Sequence, residues 1–260
     1  MSSLTPSRPL VLCLSGLDPS GGAGLQADIE SVAALGGHAL GVVTALTVQD
    51  TRDVARVVAT DPALLQQQIE LLLRDSPPQA IKLGLLGGAE QLPVIVAAIR
   101  RCRVPVVCDP VLRAGGGALL HGEAAAQALR RELFAAVTVL TPNAAEARRL
   151  CPASADLDAC GASLLEAGCG HVLITGGDEP GASVVNSWYA PGLAPRRYSW
   201  PRLPETFHGA GCTLASAIAT LLARGLPIEA ALQQAQEWTQ GTLRQALRVG
   251  QGRRIPGRRA

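Results

Sequence analysis

The sequence predicts an α/β protein in which a mainly parallel sheet is covered by helices. Short apolar runs bounded by Gly, Pro or Asp alternate along the chain with longer segments of helical period. Residues able to bind ligands also collect just past the ends of those runs, which is where open α/β sheets hold them. A chain of 260 residues, nearly half apolar, can bury one large core, so a single domain over residues 1–260 is expected.

Taken in order, the expected strands are Val11–Ser15, Leu40–Thr47, Val54–Ala59, Ala80–Gly84, Val104–Asp109, Val137–Thr141, His171–Thr175 and Ser183–Tyr189. Each is a short β-branched or apolar run closed by a turn signal. The expected helices are Gly24–Leu35, Pro62–Arg74, Ala89–Arg101, Glu123–Phe134, Ala144–Leu150 and Leu157–Ala167, with two more near Ala210–Arg224 and Pro227–Leu247. From about residue 248 the chain carries five arginines beyond the last helical pattern. That composition reads as a solvated tail, with phosphate binding as the alternative.

A formal net charge of +2, with two Phe and two Tyr, offers neither a basic nucleic-acid surface nor stacking platforms. No stretch approaches the roughly 18 apolar residues needed to span a bilayer, and Met1 to Pro9 hold no long apolar run. Seven cysteines occur singly, without a C-x-x-C pair, so neither a disulfide framework nor a zinc site is indicated. These observations favour a cytoplasmic protein with a small-molecule partner, and no nucleic acid or membrane.

Six segments carry chemistry. Ser15-Gly16-Leu17-Asp18-Pro19-Ser20-Gly21-Gly22-Ala23-Gly24 leads into a helix, so its backbone can approach a ligand closely. The alternative is a merely tight strand-to-helix turn. Gly22-x-Gly24-x-x-Ala27 fits the dinucleotide fingerprint only loosely, because Asp18-Pro19-Ser20 stand where the first glycine should leave the strand. His208-Gly209-Ala210-Gly211-Cys212-Thr213 opens a helix that is apolar on nearly every face, hence buried, with free N–H groups that suit a phosphate. Cys212 there is either a reactive thiol, its pKa lowered by the helix field, or a small packing residue.

Asp109, in Asp109-Pro110-Val111, and Glu146, in Thr141-Pro142-Asn143-Ala144-Ala145-Glu146, lie where carboxylates can hold a hard cation against substrate phosphates. Their structural alternatives are a turn-initiating Asp-Pro and a helix cap in which Asn143 and Glu146 satisfy each other. Thr175-Gly176-Gly177-Asp178 and Ala114-Gly115-Gly116-Gly117 complete the set. Five strand ends bearing ligand-type residues are more than a purely structural domain needs.

At these residues the chain resembles the hydroxymethylpyrimidine/phosphomethylpyrimidine kinases of thiamine biosynthesis, a branch of the ribokinase superfamily related to pyridoxal kinases. The resemblance runs from about Val11 to Leu247 and is most specific at residues 15–28, 44–51 and 208–213. Lys82-Leu83-Gly84-Leu85-Leu86 and Asp109-Pro110-Val111 fall between them in the family's order. It implies a ribokinase-like three-layer αβα sandwich with a mainly parallel central sheet, ATP and Mg²⁺ as cofactors, and a homodimer. It implies too that Gln49 pairs with the pyrimidine edge while Gly16 and Asp28 line the same pocket. Cys212 takes the place of the sugar kinases' aspartate base, with Gly209, Ala210 and Gly211 offering N–H groups beside it. Asn143, Thr175 and Gly177 fall to the nucleotide, and Glu146 and Asp109 to the metal.

The resemblance breaks at three points. Thr175 stands where the family commonly has a lysine, so Arg113 or the metal must supply that charge. Arg113-Ala114-Gly115-Gly116-Gly117 replaces the usual Ser-Gly-Asp flap, and Ala210 replaces a threonine. Three rival readings stay open at this point: a pyridoxal or pyridoxine kinase, a dinucleotide-dependent oxidoreductase, and a pyrimidine-sensing module without turnover.

Overall fold

A computed structural model describes residues 8–112, 123–154 and 156–259. Its nine strands join one sheet. They are β1 (Leu10–Leu17), β2 (His38–Gln49), β3 (Val54–Ala59), β4 (Ala80–Leu83), β5 (Val106–Cys108), β6 (Val139–Leu140), β7 (His171–Ile174), β8 (Ser183–Tyr189) and β9 (Arg196–Pro201). Their order is β3-β2-β1-β4-β5-β6-β7-β8-β9. The six strands from β2 to β7 in that order pair in parallel, while β3, β8 and β9 pair antiparallel at the two edges.

Strand β1 shows why the sheet is buried on both faces. Leu12 and Leu14 pack into one core with helices α2 (Pro62–Asp75), α3 (Leu92–Cys102), α4 (Glu123–Glu132), α5 (Ala144–Leu150) and α6 (Leu157–Glu166). Val11 and Cys13 point the other way, against α1 (Gly24–Ala34), α7 (Ala210–Ala223) and α8 (Ile228–Arg244). The result is the expected αβα sandwich. The sheet's direction of build-up reverses between β2-β1 and β4, so the connections leaving these strands part and open a crevice at their carboxyl ends.

Strand β9 carries no clear strand signal in its sequence. Only Tyr198 of Arg-Arg-Tyr-Ser-Trp-Pro is buried, and Pro195 and Pro201 bracket the segment, so it reads as a loop until β8 offers a pairing partner. Expected Ala89–Arg101 divides into a 3₁₀ turn, Ala89–Gln91, and α3, whose Pro93 sits in the first helical turn where its missing N–H costs nothing. Val104 falls outside β5 because Pro105 has no N–H to donate.

The tail is the main correction. Residues beyond 248 are not a solvated extension: Leu247 and Ile255 exchange both backbone hydrogen bonds, at 2.7 and 2.9 Å, Arg254 pairs with the segment before α7, and Arg258 is buried. Arg113 and the Ala114-Gly115-Gly116-Gly117 segment lie outside the described residues.

Candidate active site

The crevice is a cavity of about 610 Å³ lined by the carboxyl ends of β1, β2, β5, β6 and β7 and by the amino end of α7. It brings together Gly16, Gln49, Asp109, Asn143, Glu146, Thr175, Gly177, Gly209, Ala210, Gly211 and Cys212. Of the residues expected at the site, Asp28 alone is not at its wall.

The loop after β1 is shaped by its own side chains. Asp18 accepts hydrogen bonds from the Ser20 N–H at 2.8 Å and hydroxyl at 2.7 Å, and from the Ala23 N–H at 2.8 Å. Gly24 has a φ of +58°, and a Cβ there would lie 2.2 Å from the Gly16 carbonyl oxygen, so only glycine closes the turn. His208 Nε2 stands 2.7 Å from Asp18 Oδ2 and ties this loop to the residue before α7. Burial pushes the Asp18 carboxyl up, but hydrogen bonds from His208, Ser20 and the Gln49 amide outweigh it and hold it well below the usual range.

Helix α7 is buried from Cys212 to Leu222, as its apolar sequence requires. Its N-cap, Gly209, has a φ of +88° and makes no side-chain cap; a Cβ there would sit 1.9 Å from the Gly22 carbonyl oxygen. The N–H groups of Ala210, Gly211 and Cys212 have no partner within the helix and open on the cavity, a cradle for an anion. Cys212 stands beside Asp109, Lys82 and the start of α1 at Gly24. The expectation of an activated, acidic thiol fails here. Burial pushes the Cys212 thiol up to about 12, and nearby Lys82 offsets that only in part.

Gln49 closes β2 and lines the cavity beside Asp18. Asp28 lies beneath the floor instead. It is fully buried, with Lys82 Nζ at 2.7 Å, Ser15 Oγ at 2.5 Å and Ser216 Oγ at 2.7 Å. Lys82 comes from β4 and Ser216 from α7, so Asp28 braces the wall rather than contacting what binds there. Its place on the first turns of α1 aims it inward, which the sequence motif alone did not distinguish from a pocket position.

On the opposite side the capping alternative for Asn143 and Glu146 is met. They form a reciprocal cap at the start of α5, Asn143 Oδ1 accepting from Glu146 N at 2.8 Å and Glu146 Oε2 from Asn143 N at 3.0 Å. The second Glu146 oxygen accepts from Leu112 N at 3.2 Å, and Asp178 accepts from the Ala144 and Ala145 N–H groups. Burial, then the nearby Asp109 charge, raises the Glu146 carboxyl. Burial likewise raises Asp109, against the pull of Lys82. Two buried carboxyls that repel each other at a cavity wall fit a divalent cation held also by water and phosphate. Among the described residues no group of three His, Cys, Asp or Glu stands ready to bind a metal alone.

Sequence reasoning missed three parts of the wall. Asp18 and His208 are separated by 190 positions and nothing in either motif couples them. Arg253, from the tail, lines the cavity near Asp18 and Asp53. The third is built on α8: the Asn186 side chain accepts from Gly176 N at 3.1 Å and donates to Gln236 at 2.9 Å, and Trp200 Nε1 donates to the same oxygen at 3.2 Å. Thr239 lies on this wall with its hydroxyl buried and unpartnered.

An αβα sandwich whose crevice brings together an open helix end, a cysteine on its first turn and a buried carboxyl pair defines a phosphotransferase with the ribokinase-like fold. The family model for phosphomethylpyrimidine kinase matches residues 18–256, and the chain belongs to that family. A hydroxymethylpyrimidine/phosphomethylpyrimidine kinase of Synechococcus elongatus is 39% identical over 250 residues, covering 94% of this chain and 95% of that protein. Among solved structures, an ADP complex of Bacillus subtilis pyridoxal kinase superposes with a TM-score of 0.86 at 26% identity, covering 96% of this chain and 97% of the other. The phosphomethylpyrimidine kinase of Clostridium difficile gives 0.79 at 29% identity, covering 91% and 100%.

Proposed function

We propose that the chain transfers a phosphoryl group from ATP to the hydroxymethyl oxygen of 4-amino-5-hydroxymethyl-2-methylpyrimidine, and then a second to the monophosphate so formed, for thiamine synthesis. The observation that carries this is one cavity holding Gln49, Cys212 and the open end of α7 together. Gln49 can offer a donor and an acceptor to an aminopyrimidine edge. Beside it, Cys212 in its thiolate form can take the hydroxymethyl proton as the oxygen attacks the γ-phosphorus and ADP departs. The N–H groups of residues 209–212 hold the transferred group, and Asn143, Thr175 and Gly177 face the nucleotide.

Phosphoryl transfer through a loose transition state leans on such positioning more than on a strong ground-state base. Asp109 and Glu146 would hold Mg²⁺, which when bound neutralises charge on the phosphates. The absence of a lysine at Thr175 leaves part of that neutralisation to other groups.

A coupled ADP-release assay with the pyrimidine, its monophosphate, pyridoxal and ribose tests the reading. Turnover of the first two is expected; turnover of neither by folded protein sinks it, and pyridoxal alone would make this a pyridoxal kinase. In the same assay Gln49→Ala raises KM for the pyrimidine about tenfold, the cost of one or two unpaired polar groups, and leaves KM for ATP unchanged. An equal rise in both would make Gln49 structural.

Metal binding has its own signature. A carboxyl raised by burial is protonated at low pH and must ionise to bind a cation, so Mg²⁺–nucleotide affinity should rise with pH through the neutral range. Calorimetry in two buffers of different ionisation enthalpy should detect protons released on binding. Release absent, with pH-independent affinity, removes Glu146 and Asp109 from that role.

The homodimer is supported by Leu46, Val48 and Val58, 52%, 58% and 42% exposed on the β2–β3 ribbon, an apolar face that a second copy could cover. Sedimentation of the wild-type chain as a monomer would remove it. A reducing cytoplasm suits seven unpaired thiols, six of them buried or nearly so. No described helix is long and apolar enough to cross a membrane.

A further inference from the structure

The last residues of the chain are sewn into the site. Gly252 N donates to Thr51 Oγ1 at 3.0 Å and Arg253 N to Thr51 O at 3.0 Å, beside the β2–β3 turn. His208 N donates to Arg254 O at 2.8 Å, just ahead of α7, and Gly257 N to Thr242 O at 2.9 Å on α8. This path delivers Arg258 beneath the active-site floor, where its side chain is fully buried.

The guanidinium there joins two loops that no covalent connection brings together. Its Nε donates to Thr213 Oγ1 at 2.8 Å, and that hydroxyl donates in turn to Gly209 O at 2.7 Å. One terminal nitrogen donates to the Gly22 carbonyl oxygen. The other reaches Gly21 O at 3.5 Å and Glu30 Oε2 at 3.1 Å. A Cβ on Gly209 would stand 2.8 Å from the guanidinium, so the group lies directly against the anion cradle.

We propose that Arg258 is a positioning residue for phosphoryl transfer: it sets the separation between the glycine loop that walls the substrate pocket and the α7 cradle that holds the transferred group. This rests on the kinase reading for its catalytic consequence. Asp18–His208 ties the same two loops at another point, so the pair and Arg258 together fix a spacing as well as a contact. Gly24 stands beside Cys212 at the end of the same loop, and a shift there reaches that thiol too. Arginine suits the task because its planar fork reaches four groups at set separations; a lysine ammonium is a single point.

Hydrogen exchange and kinetics on Arg258→Met, Arg258→Lys and the exposed-site control Arg259→Ala test this. In Arg258→Met, amides in residues 19–24 and 208–213 should exchange faster by about tenfold or more, since local opening loses its main restraint. The rest of the sheet should keep its protection. Its kcat should fall by about 10–100-fold with KM for ATP within about twofold, the loss expected when reacting groups shift by an ångström or less. Arg258→Lys should lie between it and wild type, and Arg259→Ala should match wild type. Exchange unchanged in those two segments, or kcat within about twofold of wild type, overturns the proposal. Should Arg258→Met fail to fold, Arg258→Lys carries the same comparison. Because the exchange readout needs no turnover, it decides the clamp even if wild type proves inert on both pyrimidines, the result that speaks against the kinase reading itself.

Discussion

Cys212→Ala should lower kcat by about 10²–10⁴-fold while KM for pyrimidine and ATP stays nearly constant, because on the proposed mechanism it removes the group that takes the hydroxymethyl proton and leaves the anion cradle intact. Stability should change by about 1 kcal/mol or less, the worth of a small apolar group in a packed site. The two readings of this residue then separate cleanly, since a packing cysteine gives a variant with near-normal turnover.

The raised thiol adds a second measurement. Below its pKa the thiolate fraction grows with pH, so wild-type kcat at saturating substrates should climb toward alkaline pH. Cys212→Asp should restore part of the rate with a profile flat above neutrality, because a carboxylate is already ionised there. Iodoacetamide should modify Cys212 slowly at neutral pH, as burial protects the thiol and keeps it protonated. Fast, pyrimidine-protected alkylation at pH 7 would contradict that environment.

Much of this site could be read from local sequence, and the parts that could not share one property. Gly16, Cys212, Asn143 and Glu146 sit in segments whose turn chemistry and apolar pattern announce a strand end or a buried helix start. Local pattern also fixed the sheet's two-faced burial. Asp28 was misplaced because a polar residue on a helix beside a glycine loop can face either the cavity or the core. The choice depends on Lys82, 54 positions away, and Ser216, 188 away. Arg258 was misread for a related reason. An arginine-rich segment looks solvated until the fold presents a floor of unpaired carbonyl oxygens, and those come from Gly21 and Gly22 at the other end of the chain. The acidity of Cys212 was hidden for the same kind of reason: a helix start argues for a low pKa, but desolvation by burial outweighs it.

The second large effect concerns stability. Lys82, the chain's only lysine, is fully buried with Nζ 2.7 Å from Asp28 Oδ1 and 3.1 Å from Ser15 Oγ. Burial alone would lower its pKa, but Asp28, then Cys212 and Asp109, raise it above the ordinary lysine value. The sign of the linkage follows. A cation with a raised folded-state pKa contributes stability that is fully present below its unfolded value of about 10.5 and is lost only as pH rises through the folded one. Lys82 therefore gives no pH dependence in the neutral range. Lys82→Met leaves the Asp28 carboxylate buried without its cation and should cost about 3–5 kcal/mol, read as a fall in the urea midpoint. Asp28→Leu in the same chain removes the stranded charge and should recover most of that loss, because an apolar pair of similar volume often replaces a buried ion pair at little cost. Ser15 and Ser216 limit the recovery, since both hydroxyls then lose their acceptor on Asp28. A Lys82→Met variant as stable as wild type, or a double variant no better than the single, would show that the charge on Asp28 is relieved by water or protonation instead.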